Sequence, residues 1–259
     1  VKKNLILTLF VVLLLASCRE NLPGPCECEE QVAGLLCREV RYDQGHYAGH
    51  IDYFYNALGK PEAKEYHSSK QLEKTLRYTY TSSGKIKTET IELSGQSASR
   101  YTEYLYNEAD SLVAQVYFED GIVVSRIDYH YNTSQKLSTK TLYQSGQLSQ
   151  VFRFIYHDNR LLWKVLEEDA GGQVVRESHY AHYQNDVTTI SYYSRDGAYL
   201  GYDLLQYRSD GQLQLEKHYN SQKLLMEYTL HEFHDQTLSR SARYNGQGKL
   251  QQQTHFIYF

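Results

Sequence analysis

Leu72-Glu73-Lys74-Thr75-Leu76-Arg77-Tyr78-Thr79-Tyr80, followed by Thr81-Ser82-Ser83-Gly84 and Lys85-Ile86, decides how this chain folds. Leu72, Lys74, Leu76, Tyr78 and Tyr80 alternate with Glu73, Thr75, Arg77 and Thr79, the period of two that belongs to a β-strand. The Ser-Ser-Gly that follows is turn chemistry, with Gly84 free to take a left-handed conformation and close a hairpin. A Tyr-x-x-x-Gly-x-(Leu/Ile/Val) pattern recurs at Tyr80-Gly84-Ile86, Tyr117-Gly121-Val123, Tyr207-Gly211-Leu213 and Tyr244-Gly248-Leu250.

Working outward, an aromatic-x-aromatic signature aligns as Tyr53/Tyr55, Tyr78/Tyr80, Tyr104/Tyr106, Tyr129/Tyr131, Phe154/Tyr156, Ala181/Tyr183, Leu205/Tyr207, His231/Phe233 and Phe256/Tyr258. The second members step by 25, 26, 25, 25, 27, 24, 26 and 25 residues, so residues 50–259 read as one tandem repeat rather than two domains. A second aromatic and turn near the middle of each repeat (Tyr117/Gly121, Tyr143/Gly146, Tyr193/Gly197) reduces the unit to a strand and a turn. Where Gly is missing, Asn107 to Ser111, Asn132-Thr133-Ser134 and Asn220-Ser221 supply the turn. After Pro61 there is no proline, as expected where backbone N–H groups join ladders. Helical spacing is expected only over residues 30–41. Some seventeen strands at about 4.8 Å spacing give a sheet near 80 Å wide that must twist, coil or close. The expected fold is all-β, an extended, twisted antiparallel sheet of hairpins with an apolar-aromatic face and a polar face; a parallel β-helix is the alternative.

The residues carrying this pattern resemble the tyrosine–glycine repeats of the YD type in bacterial RHS-like proteins, and the short repeats of MORN-like lipoproteins and YwqK-like proteins. The resemblance covers residues 50–259 and implies a hairpin-built sheet. The chain departs from the YD form where Asn56, Asn107 and Asn132 follow the tyrosine, and where Lys85 and Gln212 follow the glycine. It has too few repeats to enclose a toxin, so that role is not carried over.

The N-terminus adds a location. Val1-Lys2-Lys3-Asn4, an apolar run from Leu5 to Leu15, and Leu15-Ala16-Ser17-Cys18 resemble a bacterial lipoprotein signal with its lipobox. The resemblance implies cleavage after residue 17, lipid attachment at Cys18 and a membrane partner through that lipid; Arg19 favours the outer membrane of the cell envelope. Residues 18–49, with Pro23-Gly24-Pro25, read as a tether. Cys26, Cys28 and Cys37 are left over, and Cys37 is expected to pair with one of the other two on the oxidising side of the membrane. A zinc set of Cys26, Cys28, Cys37 and His46 or His50 matches no standard finger.

Net charge is −4, and −6 without Lys2 and Lys3, which does not favour nucleic acid as a partner. No phosphate loop, dinucleotide fingerprint or serine elbow occurs, and the repeats contain no cysteine. His179-x-x-His182 and His231-x-x-His234 fall on opposite faces of a strand, so no metal and no cofactor are expected. Glu167-Glu168-Asp169 and Glu119-Asp120 read as solvated acidic turns. The expected protein is a non-enzymatic, lipid-anchored scaffold that binds a protein or a glycan, with Tyr192, Tyr199 and Tyr202 as the ligand surface. A glycan-binding lipoprotein is the second reading and an envelope hydrolase the third.

Overall fold

The computed structural model describes residues 34–96, 99–158, 161–184 and 186–259. Cys18, Cys26 and Cys28, with the whole signal reading, lie outside these residues. Eighteen strands follow one another: β1 (Leu36–Asp43), β2 (His46–Tyr55), β3 (Pro61–Ser68), β4 (Leu72–Tyr80), β5 (Ile86–Leu93), β6 (Arg100–Tyr106), β7 (Leu112–Glu119), β8 (Ile122–Tyr131), β9 (Leu137–Gln144), β10 (Gln147–Tyr156), β11 (Leu162–Asp169), β12 (Val174–Tyr183), β13 (Val187–Ser194), β14 (Tyr199–Tyr207), β15 (Leu213–Asn220), β16 (Leu225–His234), β17 (Thr237–Asn245) and β18 (Leu250–Tyr258).

Each strand pairs antiparallel with its sequence neighbours, and β1 pairs with both β2 and β18. The seam runs from Leu36 opposite Tyr258 to Asp43 opposite Gln252. The expected open sheet is therefore corrected to a closed up-and-down β-barrel, and the β-helix is excluded because no pairing is parallel. Closure removes the two unpaired edges that an 18-stranded sheet would otherwise expose. The wall also starts earlier than residue 50, since β1 and the first half of β2 occupy part of the expected tether, and the segment expected as helix contributes strand from Leu36 onward.

Among the described residues, strands contact only their neighbours and not strands across the barrel. Eighteen strands tilted by about 35–45° make a ring roughly 34–39 Å across between backbones, too wide for side chains to fill. Buried hydrophobic side chains are accordingly small or few, among them Val40, Ile51, Leu76, Val116 and Val165, and every residue of β13 is only partly covered.

The turns explain the sequence departures from the YD form. Asn56 Oδ1 accepts the N–H groups of Leu58 and Lys60, and Asn107, Asn132, Asn220 and Asn245 repeat the arrangement two and four residues ahead. An amide oxygen serves this turn as well as a carboxylate and brings no charge. Asp169 does the same for Gly171 and Gln173, so it is a turn residue; Glu167 and Glu168 belong to the wall, where they pair with Arg176 and Arg153. The expected solvated cluster is thus corrected: Glu168 is buried.

In six of the nine repeats the second aromatic stitches one rim. The hydroxyls of Tyr55, Tyr106, Tyr131 and Tyr156 donate to the carbonyls of Leu36, Ile86, Leu112 and Leu137 at 2.8–2.9 Å, and Tyr80 bonds that of Pro61, each at the start of the strand before. Tyr258 bonds Leu238 O at 2.9 Å in the same way. In the sixth repeat His182 Nε2 reaches Leu162 O at 3.0 Å, while Tyr183 is exposed. The structural pair there is Tyr180/His182, not Ala181/Tyr183, which evens the uneven steps of 27 and 24 to 26 and 25.

Candidate functional site

Because cross-strand partners share a face, the register sorts the side chains into an inner and an outer surface. Tyr53, Tyr78, Tyr104 and Tyr129 share one face, opposite Lys64, Glu89, Gln115 and Lys140 of the following strands, and the deep enclosure of their phenols, against the open setting of Tyr199 and Tyr202 on the other face, marks it as the concave, inner one. Lys64 Nζ sits 5.0 Å from the Tyr53 ring centre and 5.7 Å from that of Tyr78, and the Tyr129 hydroxyl donates to Gln115 Oε1 at 2.9 Å. The concave wall buries these phenols, which raises the pKa of Tyr53, Tyr66, Tyr78, Tyr104 and Tyr129; at Tyr53 the bond to Glu39, and at Tyr78 the nearby Glu89, push the same way.

This has a measurable consequence. A folded state that holds phenol protons more tightly than the unfolded state has its full stability below about pH 10 and loses it as pH rises toward the folded-state values. Tyrosinate absorbance of the native protein is expected to lag that of the urea-unfolded chain, and unfolding is expected to accompany the late part of the titration. Coincident titration curves would contradict the buried inner belt.

On the inner wall of β14–β17, Asp203, Glu216, His218, Glu227, Thr229 and Arg243 line a cavity of about 250 Å³. Asp203 organises it. Its Oδ1 accepts from His218 Nδ1 at 2.6 Å, and its Oδ2 accepts the hydroxyl proton of Tyr192 from β13. Burial, and then this bond, raise the Tyr192 pKa. Three carboxylates, an imidazole and a guanidinium in a space this small suit a polar, hydroxyl-rich group better than an apolar one.

Of the three tyrosines expected to form one ligand surface, the structure brings only Tyr192 to this cavity. Tyr202, opposite Ser191, takes the outer face by simple alternation, and the irregularity between Tyr192 and Tyr193 turns Tyr199 outward to join it. There Tyr202 stacks on Tyr219 with centroids 4.4 Å apart and planes 1° from parallel, Tyr228 stacks on Tyr244 at 4.8 Å, and Tyr199 meets Tyr193, which packs on His179. His179 and His182 take opposite faces, His179 with Glu177 outside and His182 on the rim carbonyl.

The outer face is charged. It carries the ion pairs Arg38–Asp52, Arg77–Glu92, Arg126–Asp128, Arg153–Glu168 and Arg240–Glu232, spread around the wall. A barrel that spans a membrane needs an outward apolar band about 25 Å tall. The expectation of one apolar and one polar face is corrected here, since both faces mix aromatic and charged residues. Cys37 is disulfide-bonded.

The fold and site define a closed, antiparallel, polar-walled β-barrel. No protein-family model and no curated protein matches the chain. Among solved structures it is similar to a porin-like protein from Bacteroides uniformis, with 10% identity, TM-score 0.48, and 88% of this chain and 98% of that one covered. A porin-like protein from Bacteroides vulgatus follows with 9% identity, TM-score 0.36 and coverage of 86% and 98%. The Tc holotoxin pore of Photorhabdus luminescens is similar at 10% identity and TM-score 0.37 over 76% of this chain, which spans 14% of that chain's length. The closed topology rests on the strand pairing itself.

Proposed function

We propose that this chain is a non-enzymatic, lipid-anchored protein of the bacterial outer membrane whose barrel is a rigid interaction scaffold standing in water. The observation that carries this reading is the polarity of both faces of a closed wall: the barrel has neither an apolar belt for lipid nor a filled core, and it is suited to present surface. Cys18 supplies the anchor and the outer tyrosine pairs the contact rows, because half-exposed Tyr beside Arg is the composition of protein contacts. Tyr202 and Tyr219 stack on each other too closely to admit a sugar ring between them.

A glycan-binding role is the second reading, and the cavity around Asp203 favours it. A hydrolase would use the same cavity, with the Asp203–His218 pair as its acid–base group.

The test separates these readings. Cys18→Ser is expected to move the protein from membranes to the soluble fraction, without detergent, in a folded state. Photo-crosslinkers at Tyr202 or Tyr219 on intact cells are expected to trap a protein, whereas one at inner-face Tyr129 traps none. Saturable polysaccharide binding lost in Asp203→Asn would replace the scaffold with the glycan reading, and turnover lost in the same variant would make it an enzyme. A Cys18→Ser protein that stays in the membrane would overturn the anchor.

A further inference from the structure

The outer wall of β1–β3 gathers side chains that neither the repeat nor the cavity requires. His50 and Asp52 stand two apart on β2, Glu65 and His67 two apart on β3, and the register places His50 opposite His67 and Asp52 opposite Glu65. The four therefore form a compact square on one face. The two imidazoles stack with centroids 4.4 Å apart and planes 3° from parallel. Asp52 Oδ2 lies 3.4 Å from His50 Nε2 and 3.9 Å from His67 Nε2, and one ligand atom from each of the three falls within 4.8 Å of the others. Glu65 Oε2 is 3.5 Å from His67 Nε2.

His67 Nε2 is buried and has no hydrogen-bond partner although two carboxylates face it. Buried polar nitrogens are nearly always satisfied, so this one calls for a ligand. Around an ion bound at about 2.0–2.1 Å in tetrahedral geometry, donor atoms stand about 3.3–3.4 Å apart, which the present spacings approach with small side-chain movements. The Tyr47 hydroxyl lies 2.5 Å from His50 Nδ1 and holds that ring with Nε2 toward Asp52, the outer-shell contact that metal-binding histidines use. Arg38 from β1 bonds both oxygens of Asp52, with its terminal nitrogen 2.9 Å from Oδ2. It must yield that oxygen to an ion, while the bond to Oδ1 keeps the carboxylate in place. Two carboxylates offset a divalent charge beside the guanidinium.

We propose that His50, Asp52 and His67, with Glu65 as the fourth donor, form a binding site for a borderline transition-metal dication of the Zn²⁺ class. Imidazole and carboxylate donors suit Zn²⁺ better than Ca²⁺ or Mg²⁺, which select oxygen ligands. The site lies on the outside of the barrel, away from the cavity at Asp203, and does not depend on what that cavity does.

The test uses the full chain under non-reducing conditions after chelator treatment. Zn²⁺ titration by calorimetry and Co²⁺ titration by visible absorption are expected to show one equivalent bound, with a rise in the thermal midpoint. His50→Gln and His67→Gln are each expected to abolish uptake, and Tyr47→Phe to weaken it about tenfold. A Cys26→Ser, Cys28→Ser double variant is expected to bind unchanged. In the wild-type protein, where no variant need fold, Zn²⁺ is expected to shift the ring NMR signals of His50 and His67 while leaving those of the exposed His234 in place. No uptake, uptake that survives both histidine variants, uptake that depends on the cysteines instead, or an equal shift at His234 would each overturn the site.

Discussion

Gln253→Pro in β18 is expected to cost about 3 kcal/mol or more of stability, read as a shift in the urea unfolding midpoint followed by far-ultraviolet circular dichroism. Gln253 lies opposite Tyr42 of β1 on one side and Ala242 of β17 on the other. Gln251 O accepts the Gln44 N–H across the β18–β1 side, and alternation along the strand points the Gln253 N–H the same way. In an open sheet β1 and β18 would be edges, that N–H would face water, and proline would be tolerated there. In the closed barrel the substitution deletes a ladder bond at the seam. Gln253→Ala removes only the side chain, which accepts from Arg240 at 3.0 Å, and isolates the backbone effect. Ser82→Pro, exposed in the turn that Gly84 N closes onto Thr81 O, is expected to be nearly neutral. If Gln253→Pro matched Ser82→Pro, the seam would not be closed.

Closure is also what the sequence conceals. Period two and turn chemistry are local, and they were enough to place nearly every hairpin from Tyr53 to Tyr258. An open and a closed sheet share them, and the difference lies in whether residues 36–43 and 252–258, more than 200 positions apart, pair with each other. The slip at Ala181/Tyr183 has a similar origin: aromatic identity was the ruler, and the side chain that bonds the rim carbonyl there is a histidine. Tyr192, Tyr199 and Tyr202 are crowded in sequence, but alternation puts Tyr202, opposite Ser191, on the other face from Tyr192, and the irregularity after Tyr192 turns Tyr199 to join it. The square of His50, Asp52, Glu65 and His67 has no spacing motif, because His-x-Asp and Glu-x-His become neighbours only through the β2–β3 register. A search for x-separated pairs at one strand spacing apart, in place of His-x-x-His, would have found them. Asp203 and His218 are likewise register partners 15 residues apart.

Gly201 sits at the irregularity that turns Tyr199 outward, and Gly201→Val is expected to destabilise the protein by about 3–5 kcal/mol. Two costs coincide at this position. Its φ of +137° is a conformation that a β-branched residue rarely adopts, and a Cβ placed there would sit 2.2 Å from the carbonyl oxygen of Tyr219, with the Asn220 backbone 3.1 Å away. Neither neighbour is a flexible side-chain end, so the β14–β15 pairing itself must separate. Gly211 provides the comparison. Its φ is +83°, but nothing lies within 4 Å of an added Cβ, so Gly211→Ala is expected to cost only the left-handed penalty of about 1–2 kcal/mol. The larger effect at Gly201 reaches the cavity, because Gly201 pairs with Tyr192 and stands two residues before Asp203. Separating the strands there removes the support that holds Asp203 between Tyr192 and His218. In a Gly201→Ala protein that still folds, the His218 imidazole is expected to lose its bond to Asp203, read as a shift of its ring resonances by NMR, while those of His231, two strands from the lesion, stay in place. Equal costs at Gly201 and Gly211, with an unchanged His218 signal, would mean that the close approach to Tyr219 is absent.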